Sequence, residues 1–241
     1  MADSVRWWER VLPRSFGPAP SLRARPTLPL LSDSPPIISY SAELKRKALH
    51  LGALVIPAGI LILGRTVALW ILAPFAVFAV VADLARVRVP WFHRFINWVF
   101  QPIMRPEEQP PFGGPFVING ATWMCVSAAL CTWLFPENMA AAALAMLMVG
   151  DGAAAVVGRR YGRTRYPFSS KSVEGSLAFF VTAFLAALPF GLAGSEPLSL
   201  VTLAIGAFAA AFVEAIPVDI NDNLRVPLLA GGVMLLAQSL G

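Results

Sequence analysis

The chain has 241 residues, of which 57% are hydrophobic and only 14% charged, and its mean hydropathy is +0.66. Soluble domains average about 25% charged residues, so this chain has too little charged surface to cover a water-soluble core. The net charge of +5 does not indicate a nucleic-acid partner either, because the 19 Lys and Arg sit in short clusters between apolar runs, a placement that serves topology and phosphate chemistry. Composition therefore predicts an integral membrane protein.

Residues 1–42 hold seven of the 21 prolines, five Arg and no apolar run long enough for a signal-peptide core. They read as a poorly ordered cytosolic arm, and residues 43–241 as the membrane-embedded domain. Glu43, Arg46, Lys47 and His50 follow i, i+3, i+4 and i+7 spacing, which stacks them on one helix face at the membrane surface. That face suits a phosphate or an anionic head group, or equally a basic juxtamembrane anchor.

From Ala48 onward, apolar runs recur near 48–64, 67–82, 119–135, 139–157, 175–194, 198–216 and 226–240. Each approaches the roughly 20 residues needed to cross about 30 Å of hydrocarbon. The prediction is an all-α, polytopic bundle of about seven transmembrane helices. Small-residue stretches at 140–143, 153–155 and 209–211 would let helix backbones pack closely. With a cytosolic N-terminus, the inner segments carry 8, 4, 5 and 1 Lys/Arg and the outer side only Arg65, as the positive-inside rule requires. His50 and the loops 83–118, 158–174 and 214–225 then share the cytosolic face.

Between the second and third runs, Trp91, Phe92, Phe95, Ile96, Val99 and Ile103 oppose His93, Arg94, Asn97 and Gln101, the pattern of an interfacial amphipathic helix. The Pro/Gly-rich stretch 105–115 that follows reads as a connector or as a substrate-side lid. Cys125 and Cys131, six residues apart in one apolar run, are beyond disulfide reach on a helix and read as packing residues. No zinc-type ligand spacing occurs.

Three constellations bear chemistry. Asp151 lies inside an otherwise apolar helical run, where ionisable residues are costly and usually functional; the alternative is a buried Asp paired with an Arg to hold the bundle. The segment 158–176 supplies Arg159, Arg160, Arg163, Arg165 and Lys171 among hydroxyls and glycines, a polyphosphate cradle or a positive-inside loop on lipid head groups. The Ser-Lys-Ser and Glu-Gly-Ser elements around Lys171, Ser172 and Glu174 favour the cradle. Glu214, Asp219 and Asp222, with Asn221 and Asn223, supply the hard oxygen ligands that Mg²⁺ prefers. A polar turn explains the Asp and Asn residues equally well, but not Glu214 on the apolar segment. Together these features indicate Mg²⁺-dependent phosphoryl or nucleotidyl transfer between a soluble nucleotide and a lipid held in the bilayer.

Four motifs in this order resemble the polyprenol kinase family of dolichol kinases, CTP-dependent diacylglycerol kinases and phytol kinases. They are Glu-x-x-Arg-Lys-x-x-His at 43–50, Gly150-Asp151 with Ala154 and Gly158, Lys171-Ser172-x-Glu174-Gly175-Ser176, and Glu214 to Asp222-Asn223 with Pro227. The resemblance spans about residues 42–240. It implies transfer of the γ-phosphoryl group of a nucleoside triphosphate, CTP in most members, to the hydroxyl of a membrane lipid alcohol. By position, Asp151 and the Asp219/Asp222 pair would hold Mg²⁺, and Lys171 and Ser172 would grip the nucleotide phosphates. Glu174 or Glu214 would organise the site or accept the hydroxyl proton. Arg159, Arg163, Arg46, Lys47 and His50 complete the expected nucleotide-binding set, in an active site on the cytosolic face of a bacterial plasma membrane.

Phosphatidate cytidylyltransferases look similar around the Gly-Asp and Glu-Gly segments, but their later His-Gly-Gly pattern has no counterpart, since this chain has no His after position 93. A lipid or small-solute transporter would also show intramembrane charge and Gly/Pro breaks. No inverted repeat is evident between the halves, and the polar clusters gather on one side, which disfavours it.

Overall fold

The computed structural model describes residues 40–194 and 196–240, so nearly all of the arm predicted over 1–42 lies outside the described residues. Eight α-helices follow in chain order: α1 Tyr40–Gly52, α2 Val55–Arg88, α3 Pro90–Phe100, α4 Gly120–Leu134, α5 Glu137–Tyr161, α6 Val173–Gly191, α7 Leu200–Ala215 and α8 Asp222–Leu240. Among the described residues no strand forms beyond an isolated bridge between Arg165 and Ser172.

The protein is an all-helical membrane bundle. Among the described residues, five segments are long and apolar enough to cross a membrane: Arg46–Leu63, Arg65–Arg88, Glu137–Tyr161, Val173–Gly191 and Asp222–Leu240. The apolar runs expected at 119–135 and 198–216 are helices α4 and α7, of 15 and 16 residues. At 1.5 Å per residue these run about 22 and 24 Å, short of a hydrocarbon core roughly 30 Å thick.

The first two apolar runs meet without a conventional loop. α2 carries both halves across a kink at Gly64, whose φ of 78° and ψ of 158° suit only glycine. The next residue, Arg65, fastens the kink. Its backbone N–H donates to Glu137 Oε2 at 3.1 Å, and its Nε to the Thr132 carbonyl at 2.9 Å, which satisfies an acceptor at the C-terminal end of α4.

Helix α5 is the central pillar. It packs against α1, α2, α4, α6, α7 and α8, and residues 139–148 are buried without interruption. The small side chains at 140–143 explain how so many helices approach one axis. Side-chain caps define three helix starts: Asn119 accepts from Thr122 N at 3.0 Å, Ser172 from Gly175 N at 3.1 Å, and Ser199 from Thr202 N at 3.0 Å. Pro217 stands just beyond the C-terminus of α7, where a helix cannot continue.

The expected interfacial helix is α3. Proline occupies its first turn, none of its residues is buried, and Trp91, Phe95 and Trp98 face outward. Its aromatic surface matches the amphipathic pattern read from the sequence.

Candidate active site

Two acid–base clusters meet beside the central helix. In the first, α1 delivers Lys47 and His50 to Asp151 on α5. Lys47 forms an ion pair with Asp151 Oδ2, and His50 Nε2 lies 3.9 Å from the same oxygen. The i, i+3 spacing of Lys47 and His50 puts both on the α1 face turned toward α5. Lys47 is 9% exposed and Asp151 retains 23% exposure, so the carboxylate is enclosed yet reachable.

In the second cluster, Lys171 precedes α6 and reaches the end of α7. Its Nζ lies 2.6 Å from Glu214 Oε1 and 3.3 Å from Asp222 Oδ2, and it also donates to the Glu214 backbone carbonyl. Asp222 opens α8 and accepts from Arg225 Nε at 3.1 Å. On α5 beyond Asp151, Ala154 and Gly158 abut Gly175 and Ser172 at the start of α6, next to Lys171. The expected carboxylate cluster and the intramembrane Asp therefore flank the same contact between α5 and the start of α6.

Between α5 and α6 the chain doubles back as a short hairpin. Tyr166 N donates to the Lys171 carbonyl at 3.2 Å, and Val173 N to the Thr164 carbonyl at 2.9 Å. The turn closes on Ser172, whose hydroxyl caps α6; a Cβ on Gly162 would lie 2.6 Å from that oxygen and 2.2 Å from the Gly158 carbonyl, so only glycine fits. Glu174 accepts from the Thr164 N–H at 3.0 and 3.3 Å through its two oxygens. It thus braces the hairpin. Arg159 and Arg163 are exposed along this segment.

The structure does not gather Asp151, Asp219 and Asp222 into one nest. Asp219 is exposed in the turn between α7 and α8, and among the described residues no three His, Cys, Asp or Glu converge as a metal-binding group.

A third polar grouping went unread in the sequence. Asp83 and Arg86, both buried on α2, pair at 3.3 Å. Asp83 accepts from Asn119 N at 3.0 Å and Asn119 Nδ2 at 2.7 Å, while Arg86 donates to the carbonyls of Glu108 at 2.9 Å and Val117 at 3.2 Å. Glu108 in turn accepts from Gly120 N at 2.9 Å, and Asn223 Nδ2 donates to the Gly120 carbonyl at 2.8 Å. The stretch after α3 is therefore a braced connector tied to α2, α4 and α8. The signal was available: an Asp and an Arg at i, i+3 inside an apolar helix are as anomalous as Asp151.

A cavity of about 430 Å³ lies between α1, α2, α3 and α4, lined in part by Arg46, His50, Asp83, Asn119 and Asn223. His50 thus borders both the cavity and the Asp151 cluster.

Comparison with known proteins places this site in context. The chain is 30% identical over 192 residues to an uncharacterized protein of Rickettsia prowazekii, covering 78% of this chain and 91% of that protein. It is 30% identical over 170 residues to CTP-dependent diacylglycerol kinase 1 of Schizosaccharomyces pombe, covering 66% of this chain and 75% of the yeast protein. Over 96 residues it is 42% identical to a probable chloroplastic phytol kinase 1 of Oryza sativa subsp. japonica, covering 35% of this chain and 31% of that one. No protein-family model matches the chain, and no solved structure matches it.

Proposed function

The chain belongs to the polyprenol kinase family of lipid kinases, and from that premise we propose that it transfers the γ-phosphoryl group of CTP to the hydroxyl of a membrane lipid alcohol. The observation that carries this reading is the junction of two clusters. Lys47 with Asp151 and Lys171 with Glu214 and Asp222 juxtapose cations and carboxylates beside the Arg-rich hairpin. Such a site matches phosphoryl transfer, where catalysis is mostly positioning and charge stabilisation.

Mg²⁺ fits the donor set in one particular way. It is usually held by one or two carboxylates plus substrate phosphates, so a site without a three-residue nest is suited to a metal that arrives with the nucleotide. Asp151 and Asp222 would hold it, and it would neutralise charge on the phosphate oxygens. Lys171, Arg46, Lys47, Arg159 and Arg163 would bind the remaining phosphate charge, while Ser172 and Glu174 hold the hairpin in shape. In the net reaction the acceptor oxygen bonds to the γ-phosphorus, the bond to the β–γ bridging oxygen breaks, and the nucleoside diphosphate and one proton are released. The Lys/Arg distribution supports a cytosolic site and seven crossings, two of them made by the short helices α4 and α7.

The test incubates purified protein and Mg²⁺ with CTP labelled separately at the α and γ phosphorus, and with phytol, dolichol, diacylglycerol or phosphatidate. Label from γ alone in extracted lipid is expected. Label from α alone would mean nucleotidyl transfer to phosphatidate and would overturn the kinase reading. So would the absence of transfer from either CTP or ATP, which would favour a transporter.

A further inference from the structure

We infer that the cavity between α1, α2, α3 and α4 is the binding chamber of the acceptor lipid, with the alcohol hydroxyl held at His50 and the hydrocarbon chain leaving between α2 and α3. This rests on the lipid-kinase reading and adds the acceptor's location, which neither the motifs nor the relatives assign.

The chamber is amphiphilic in the manner of such a lipid. Its walls include Phe75, Phe78 and Ala82 of α2, Ile96 of α3 and Met124 of α4. Water in an apolar chamber finds few partners, whereas a hydrocarbon chain needs none. At about 430 Å³ the space is within the roughly 300–1,000 Å³ range of small-molecule sites.

The polar end points to the hydroxyl. Among the described residues His50 Nε2 is buried without a hydrogen-bond partner, as is Arg86 Nε in the same lining, and of the two it is His50 that lies at the boundary between the chamber and Asp151. A buried orphan nitrogen calls for a ligand group, and an alcohol can either donate to it or accept from it. A hydroxyl there stands beside the cluster proposed to hold the nucleotide phosphates. His50 thus acts as a positioning group for the acceptor rather than as part of the nucleotide grip expected from its motif.

The entrance is lateral. Phe75, Phe78 and Phe100 line the chamber yet are 55%, 64% and 41% exposed, so the same rings form its wall and the outer surface of the bundle. The aromatic helix α3 borders this opening, and a lipid can enter from the bilayer without crossing water. Elsewhere in the lining, Asp83, Arg86 and Asn119 tie the connector to α2. A second groove, on the outer face of α2 around Leu69, Trp70 and Val77, has only apolar lining residues and offers nothing to a hydroxyl.

The experiment photolabels the full-length wild-type protein in detergent with a long-chain primary alcohol carrying a diazirine, then maps adducts by mass spectrometry. Adducts on Ile96, Phe100 or Met124, competed away by phytol or dioctanoylglycerol, are expected. Adducts confined to Leu69, Trp70 and Val77 would overturn the assignment. In parallel, Ala82→Trp is expected to raise the acceptor KM by about tenfold or more while leaving thermal stabilisation by Mg²⁺ and CTP unchanged. Val77→Trp on the outer groove should change neither. His50→Ala should raise the acceptor KM more than the nucleotide KM, with partial recovery in His50→Gln. An unchanged acceptor KM in Ala82→Trp would overturn the proposal even if phosphoryl transfer is confirmed. Competed labelling of the chamber with no transfer from any nucleotide would leave it a lipid-alcohol binding chamber and remove the kinase reading, and with it the acceptor role, instead.

Discussion

Two buried acid–base groupings occupy the same bundle and use their hydrogen-bonding capacity differently. Around Asp83 and Arg86, the carboxylate accepts from Asn119 twice and pairs with the guanidinium at 3.3 Å, and Arg86 donates to two backbone carbonyls, although among the described residues its Nε has no hydrogen-bond partner. Around Asp151, the carboxylate has Lys47 but leaves His50 at 3.9 Å, and among the described residues that imidazole nitrogen has no hydrogen-bond partner. The first grouping closes connections between α2, α4 and the connector. Both border the cavity and each leaves one buried nitrogen unpartnered, but the second ties no connector down and sets its spare nitrogen beside the Asp151 carboxylate. The lesson is that neither burial of charge nor an unpartnered buried nitrogen marks a functional site by itself; what the charged groups hold together decides whether they brace or act.

The contrast can be broken most sharply at Asp151. Asp151→Asn keeps the shape and a possible acceptor for Lys47 but removes the charge, so phosphoryl transfer should fall by about 10²–10³-fold at unchanged melting temperature. The reading is checked by labelled-CTP assay beside a thermal scan in detergent. A second substitution, Lys47→Met, should not restore transfer, because the pair is there for chemistry.

Arg86→Leu should do the reverse. It strands a buried Asp83 and should cost about 3–5 kcal/mol of stability, measured as a lower denaturation midpoint. The double variant Asp83→Leu/Arg86→Leu should recover much of that loss, since apolar residues of similar size commonly replace a buried pair at little cost. Recovery here and none at Lys47/Asp151 would separate brace from site.

Two helix caps sharpen the comparison further. Ser172→Ala and Ser199→Ala each remove a capping hydroxyl worth about 0.5–2 kcal/mol, so both should lower thermal stability modestly. Only Ser172→Ala should also raise the nucleotide KM, because its cap closes the Arg-rich hairpin. The smallest effect is expected for Glu174→Gln, which keeps an acceptor for Thr164 N. Its nucleotide KM should rise a few-fold with little change in kcat; a loss as large as that of Asp151→Asn would make Glu174 a direct participant.

Much of the site was legible because its residues violate local expectations. Asp151 and Glu214 are carboxylates on apolar helices, and Lys171 precedes a Ser that caps a helix, anomalies visible without any fold. The helices at the seven apolar runs and the aromatic α3 follow from hydropathy and periodicity alone. Other features were not legible. The junction near Gly64 looks like a loop in sequence and is a one-residue kink, because nothing local says that Arg65 will be held by Glu137 and Thr132. Asp219 resembles Asp222 in composition and spacing, but the turn between α7 and α8 leaves it exposed and outside both clusters.

By itself the sequence determined that this is a membrane protein of helices, which helices carry ionisable groups, and which family motifs it holds. Those properties depend on hydrophobicity and short-range spacing, which the chain carries at every residue. Only the tertiary structure decided that α1 supplies the partner of Asp151, that Lys171 reaches across to Glu214 and Asp222, and that an amphiphilic cavity opens at His50. Those pairings join residues 104, 43 and 51 positions apart. They depend on how the helices pack around α5, and helix packing is a property of interlocking surfaces that no single segment contains.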